Sequence, residues 1–321
     1  MRELQLATLV DAAPDGDDWL HEQKFDGYRI LAERSGTHIT LFTRNGKDWT
    51  SSFPTIRAAV AKLPVTSVTL DGEAAALLPD GRTSFQALQG SFGDPTSEVV
   101  YFVFDLLELD GEDIAALPLD ERKARLAKLV AHAPAGLRYS DHVVGRGAEF
   151  FALACQRQLE GIVSKRRDRR YTPGRNTGWV KTKCLQRQEL VIGGFTEPEG
   201  GRRGLGALLV GVYAGDTLHY AGKVGTGFSS KLLVELRGEL DSLEVKASPF
   251  SPEPSRAHTG PRVHWVRPEL VAEVAFAEWT GDGRLRHPSF QGMRRDKPAR
   301  SVVREAPRIV TEPKPKRARR R

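Results

Sequence analysis

Lys24 is the residue whose setting most invites chemistry. It stands in "WLHEQKFDGYRI", Trp19 to Ile30, between Gln23 and Phe25 and just ahead of an Asp-Gly-Tyr turn. A lysine amine is a nucleophile only without its proton, which at neutral pH takes burial or neighbouring positive charge. Taken alone, a lysine in such a strand is about ten times more often an ordinary surface residue. Other groups of suitable type recur downstream. Glu73 in "LDGEAAAL" and Glu160 in "LEGIVSK" are carboxylates at the ends of strand-like runs, suited to a divalent cation or a ribose. Lys181 and Lys183 in "WVKTK" offer two ammoniums, which we expect to need a bend or bulge before both face one centre. From Ser164 to Lys183 the chain carries eight basic residues and one Asp, which suits either a solvated loop or a phosphate-rich partner.

The elements that must position these groups change character midway. "HITLFTR", "VTLDGEAAAL" and "VYFVFDLLEL" are rich in β-branched and aromatic residues and read as strands. "FPTIRAAVAKL" has helical spacing with Pro54 near its start, and "PLDERKARLAKLVAHA" is a second helix with Asp120 as its expected cap. "GAEFFALACQRQLEGIVSKR" reads as a helix, a turn at Gly161 and a short strand. Mixed sheets with helices predict an α+β domain over 1–185. Beyond it, "ELVIGGF", "GALLVGVY", "TLHYAGKVGTGF" and "VAEVAFAEWT" are Gly-punctuated strands, interrupted by the helix "SSKLLVELRGELDSL". A five-stranded barrel of the oligonucleotide-binding (OB) type over 186–306 is the simplest container, with "ASPFSPEPSRAHTGPR" as a loop. Residues 307–321 are expected to be a disordered basic tail.

Composition limits the class. Hydrophobic content of 40% and charged content of 28% over 321 residues fit a soluble protein of two domains, with no signal peptide and no apolar run long enough for a membrane. Two cysteines, Cys155 and Cys184, lack metal-ligand spacing and fit a reducing compartment, so a cytoplasmic protein is expected. The net charge of +7 resides mostly in the tail: removing the six basic residues of "PKPKRARRR" from the 48 lysines and arginines leaves 42 against 41 acids.

The order of the motifs sharpens the reading. "KFDGYR", with Lys24, Asp26 and Arg29, resembles motif I of the covalent nucleotidyltransferases, the superfamily of DNA ligases, RNA ligases and mRNA capping enzymes. "FTRNGKDW" with Arg44 resembles motif Ia, "LDGEAAAL" with Glu73 motif III, and "FVFDLLEL" with Phe104 and Asp105 motif IIIa. "LEGIVSK" with Glu160 resembles motif IV, "WVKTK" with Lys181 and Lys183 motif V, and "FQGMRRDK" with Arg294, Asp296 and Lys297 motif VI. Seven ordered matches lift each residue above its bland alternative; Phe104 alone would be core at odds of about four to one. From about Leu6 to Pro298 the chain resembles the ligase domain of bacterial multifunctional end-joining DNA ligases. No polymerase or phosphoesterase domain fits within 321 residues, which suggests a stand-alone minimal ligase or an excised domain.

That resemblance implies an ATP-dependent enzyme in which Lys24 takes AMP as a phosphoramidate, passes it to a 5′-phosphate at a nick, and seals the strand with the neighbouring 3′-hydroxyl. It implies that Glu22 reads the adenine edge, Phe104 stacks on the purine, and Arg29 and Arg44 contact ribose and phosphate. Glu73 and Glu160 would hold Mg²⁺ or Mn²⁺. Lys181 and Lys183 would face the α-phosphate, and Arg294, Asp296 and Lys297 would act only when the barrel closes for the first step. The partner would be nicked duplex DNA, met by Lys165, Arg166, Arg167, Arg169, Arg170 and Arg175. A Ku-like end-binding protein and separate polymerase and nuclease functions would assist a monomeric ligase in the bacterial cytoplasm. The nearest rival is an RNA-directed nucleotidyltransferase, either a capping guanylyltransferase or an RNA ligase; a non-catalytic barrel with a basic tail is a remote one.

Overall fold

The computed structural model describes residues 2–89, 91–92, 98–184, 186–198 and 204–307. Of the expected basic tail only Pro307 lies among them. The architecture is α+β, with three main sheets. The runs predicted as strands form His38–Thr43, Ser67–Leu77 and Val99–Leu109, which pair antiparallel with Tyr28–Ser35 and one another within one mixed sheet. Its inner face carries Ile30, Leu41, Leu70 and Val103, packed with Ile56 and Val60 of the Pro54–Ala61 helix. Each such side chain, fully buried, contributes about 1.5–3 kcal/mol.

The second sheet runs in the order Gln5–Leu9, Gly174–Lys183, Gly161–Arg166, Trp19–Gln23, His142–Val144. The Leu119–Val130 helix packs on the first sheet, against Val99–Leu109 and Leu137–Tyr139, and its buried face includes two cations as well as leucines. Arg122 donates two hydrogen bonds to Asp105, at 2.7 and 2.8 Å, both side chains being fully buried. Leaving either partner alone in that site would cost about 3–5 kcal/mol. Asp120 does not cap this helix: Pro118 holds the cap position, and Asp120, in the first turn, pairs with Arg167 at 2.8 Å.

In the C-terminal half the long strands Gln186–Thr196, Leu208–Ala214, Thr217–Val224, Val271–Phe276 and Ser289–Met293 pair antiparallel. Two short strands, Glu244–Val245 and Val263–Val266, bring the sheet to seven, two more than expected. Its core, with Leu190, Ile192, Val210, Val274 and Phe290, is separate from that of the first sheet and includes Leu236 and Leu240 of the Ser230–Asp241 helix. The loop after Lys246 contains one short helix, Arg256–Thr259. The two cysteines are not free thiols. The end of the Gly147–Gln156 helix meets the residue after Lys183, and Cys155 and Cys184 are joined as a disulfide with Cα atoms 5.2 Å apart.

Candidate active site

Strand register explains why Lys24 and Glu160 meet. Trp19–Gln23 and Gly161–Arg166 are antiparallel neighbours with Gln23 opposite Ile162, and the Lys24 N–H donates to the Gly161 carbonyl at 2.9 Å. Lys24 therefore lands beside Glu160, and the ammonium lies 2.5 Å from its carboxylate. On the other flank of Gly161–Arg166, Gly161 pairs with Lys183 and Val163 with Lys181. Three adjacent strands thus deliver motifs I, IV and V to one pocket. Glu73 reaches it from the first sheet, where it pairs across from Arg29. Gly27 permits this approach, because a Cβ there would lie 2.1 Å from the Ala74 carbonyl oxygen.

The pocket is lined by Glu22, Lys24, Asp26, Arg29, Arg44, Glu73, Phe104, Glu160, Lys165, Arg175, Trp179, Lys181, Glu189, Glu273 and Arg294, among others. Of the expected nucleotide contacts, only Lys183 is missing from that lining; it is held at its edge by Glu305. Asp296 and Lys297 stand behind Arg294 and do not line the pocket.

The charge on Lys24 differs from expectation. Burial works against its ammonium, but Glu160, backed by Glu73 and Asp26, outweighs burial and raises its pKa above the ordinary lysine value. The nearest charges are negative, not positive, so the free protein holds this amine protonated. Glu73 is pushed up to about 7 by burial, despite Lys24, Arg29 and Arg294. Burial also acts on Glu160, where Lys24 and Lys183 prevail and keep its carboxyl below the usual range; its Oε2 is buried with no hydrogen-bond partner among the described residues.

Lys181 and Lys183 need no bend. Residues two apart share one face of a strand, and both ammoniums reach the same carboxylate, Glu305, each at 2.8 Å. The expectation of opposite faces was wrong. Burial, followed by the Lys183 charge, pushes Lys181 down to about 8. Against burial, the two lysines pull Glu305 down to about 2. Glu305 went unnoticed in the sequence, because it lies 122 and 124 residues from these lysines.

At the opposite wall, Glu22 is fully enclosed and both its oxygens are bonded, Oε1 to Lys123 at 2.6 Å and Oε2 to Lys165 at 2.7 Å. Lys165 therefore belongs to the pocket. It is 1% exposed and stands 4.2 Å from the ring centroids of both Phe104 and Trp179, so it is not part of an outer DNA-facing surface. Burial, despite Glu22, brings it down to about 8. Arg29 is held by Asp71 and lies over Phe104, its Cζ 4.6 Å from the ring centroid. Arg169, Arg170 and Arg175 are exposed, although Arg169 lies 3.8 Å from Asp168 and Arg175 donates to the Ala7 carbonyl; Arg166, less exposed, pairs with Asp168 and Asp18, and Arg167 with Asp120.

Two further carboxylates were missed. Glu189 and Glu273 sit directly opposite each other on neighbouring strands, a like-charge pairing that is unfavourable by itself. Arg294 spans both, at 3.4 and 3.1 Å, and Lys297 joins Glu189 at 2.8 Å. Burial and Glu189 push Glu273 up to about 6. A single acid inside each apolar run, "QELVIGGF" and "VAEVAF", was the available signal.

Comparisons with known proteins point to one family. The family model for the ATP dependent DNA ligase domain matches residues 5–183, and that for the ATP dependent DNA ligase C terminal region matches 201–297. The multifunctional non-homologous end joining protein LigD of Pseudomonas aeruginosa is 43% identical over 308 residues, covering 94% of this chain and 36% of that protein. The LigD protein of Mycobacterium bovis is 41% identical over 290 residues, covering 89% of this chain and 37% of its own length. The chain thus spans little more than a third of these relatives. Among solved structures, a mycobacterial DNA ligase D complexed with ATP and MES is 37% identical with a TM-score of 0.71, covering 94% of this chain and 98% of that one. The ligase domain of M. tuberculosis LigD, also 37% identical with the same coverage, gives a TM-score of 0.52. The chain belongs to the ATP-dependent DNA ligase family.

Proposed function

We propose that this chain seals nicks in duplex DNA through a covalent adenylate on Lys24. The observation that carries the reading is the meeting of Lys24 with Glu160 and Glu73 in a pocket walled on one side by Phe104 and on the other by Lys181. In the first step Lys24 Nζ, having released one proton to solvent, attacks the α-phosphorus of ATP and releases a second as the phosphoramidate forms. A P–N bond forms, the P–O bond to pyrophosphate breaks, and Lys181, Lys183 and Arg294 offset charge on the phosphate oxygens. A nick 5′-phosphate then attacks the lysyl-bound phosphorus and releases the amine. Finally the 3′-hydroxyl attacks the 5′-phosphate and expels AMP. We assign Phe104 and Trp179 to the purine, Arg29 and Arg44 to ribose and phosphate, and Glu22 to the adenine edge in concert with Lys165.

Glu73 and Glu160 fit a divalent cation, Mg²⁺ or Mn²⁺, since Glu160 Oε2 is buried without a hydrogen-bond partner among the described residues. No group of three ligating side chains exists among the described residues, which suits a cation that takes its other ligands from phosphate and water. Bound there, it would supply positive charge beside the carboxylate that otherwise keeps Lys24 protonated.

We assign residues 1–185 to the adenylation domain and 186–306 to an OB-type barrel, supported by the separate cores. DNA phosphates would meet Arg169, Arg170 and Arg175, and secondarily Arg166 and Arg167, with affinity falling by a log–log slope of about 0.9 per phosphate contact as salt rises. The LigD relatives are named for non-homologous end joining. We extend that setting to this chain as cytoplasmic break repair by a monomer, alongside a Ku-like end-binding protein and separate polymerase and nuclease functions. Incubation with α-labelled ATP or GTP tests the reading. Stable protein-bound label from ATP that chases onto nicked DNA supports it, whereas label from GTP moves the chain to the capping class.

A further inference from the structure

The cationic side chains of motif VI and its backbone are held by different parts of the molecule. Arg294 and Lys297 find their carboxylates in the C-terminal half, at Glu189, Glu273 and Asp296. The main chain of their neighbours Met293, Arg295 and Asp296 is gripped from the N-terminal half. Tyr28 Oη donates to the Met293 carbonyl at 3.0 Å. The Gln89 amide bonds both main-chain groups of Met293: its Oε1 accepts from the N–H at 3.2 Å and its Nε2 donates to the carbonyl. That Nε2 also donates to Tyr28 Oη at 3.2 Å. Two residues on, Lys47 Nζ donates to the Arg295 carbonyl at 2.6 Å, and Asn45 Nδ2 donates to the Asp296 carbonyl.

Residues 293, 295 and 296, on both sides of Arg294, are thus fixed through main-chain atoms by four side chains. These contacts do not depend on which side chains motif VI carries; they depend on where its backbone stands. Gly292 makes the close approach possible. A Cβ there would lie 2.6 Å from Gln89 Oε1 and 2.7 Å from two ring carbons of Phe85, which is packed in the first core. The Arg294 guanidinium, so placed, stands 5.4 Å from the Tyr28 ring centroid and 5.3 Å from that of Phe85, and lines the Lys24 pocket.

We propose that Gln89, supported by Tyr28, Asn45 and Lys47, is a positioning residue for adenylation alone: it latches the C-terminal half over the nucleotide and places Arg294, and sealing does not need it. The inference rests on the reading of Lys24 as the adenylate acceptor. Once the amine carries AMP, the nick must reach the same pocket face that the latched half covers, so the latch is released for the later steps.

The test separates the steps in the full chain. Single-turnover formation of enzyme-adenylate from ATP and Mg²⁺ is measured beside sealing of a nick that already carries the 5′-adenylate. For Gln89→Ala, adenylate formation is expected to fall about tenfold to thirtyfold, the loss expected from two hydrogen bonds, while sealing of the pre-adenylated nick stays within twofold. Gly292→Ala, which obstructs docking without removing a hydrogen-bonding side chain, is expected to give the same split. Equal losses in both steps, or adenylate formation at the wild-type rate in Gln89→Ala, would overturn the latch. Wild-type protein that forms no adenylate but seals the pre-adenylated nick would instead refute the reading of Lys24.

Discussion

The two sides of the pocket hold lysines in opposite conditions. Around Lys24 the neighbours are Glu160, Glu73 and Asp26, and the ammonium is held charged. Around Lys181 the neighbours include Lys183 and Lys24, and burial with those charges brings it down to about 8, even with Glu305 in contact. On the proposed reading, one wall keeps a proton on the attacking amine until the surrounding charge changes. The other would receive phosphate oxygen on the same reading and, in the free protein, holds the Glu305 carboxylate. Burial works against the charge on Lys24, Lys165 and Lys181 alike, and only at Lys24 do the neighbouring carboxylates outweigh it.

The largest effect should follow from removing the nucleophile while keeping its charge. Lys24→Arg leaves a cation beside Glu160 but has no amine to attack phosphorus, so protein-bound label from α-labelled ATP should vanish. Next comes the basic wall. Lys181→Ala should slow adenylate formation by about 10²–10³-fold, the usual loss when a charge-stabilising donor is removed, as read in single-turnover labelling.

A third test concerns pH. Glu73 is pushed up to about 7, so its carboxylate is mostly protonated at pH 6 and mostly ionised at pH 8. The Mg²⁺ concentration giving half-maximal adenylate formation should therefore fall as pH rises across that window, by about tenfold, because a metal ligand must be deprotonated. Glu73→Gln should weaken Mg²⁺ use and flatten this dependence. The smallest effect is expected at Glu305. ATP phosphate must displace its carboxylate from Lys181 and Lys183, so Glu305→Gln should lower the KM for ATP by about threefold to tenfold, the range for weakening a charged hydrogen bond. A raised KM would mean that Glu305 orients the lysines instead.

Much of this comparison was legible in the sequence, but unevenly. Lys24, Glu160, Lys181 and Lys183 belong to ordered motifs, and strand register alone brings them together. Their electrical states were not legible, because the charge on Lys24 depends on a carboxylate 136 residues away in the chain. Lys165 looked like one of a run of surface cations; strand alternation turns it inward onto Glu22 while Arg166 lies toward Asp18. Phe104 lines the pocket, whereas its neighbour Asp105 points away to a buried pair with Arg122. Glu305 and Gln89 act through contacts made only when distant segments pack, 122 and 204 residues from their partners. No local pattern announces them.

The most direct test is to locate the adenylate. The protein is incubated with ATP and Mg²⁺, digested, and the AMP-bearing residue mapped by mass spectrometry. AMP on Lys24, lost when nicked DNA is added, is the expected result. AMP on Lys165, Lys181 or Lys183 instead would contradict the assignment of the two walls.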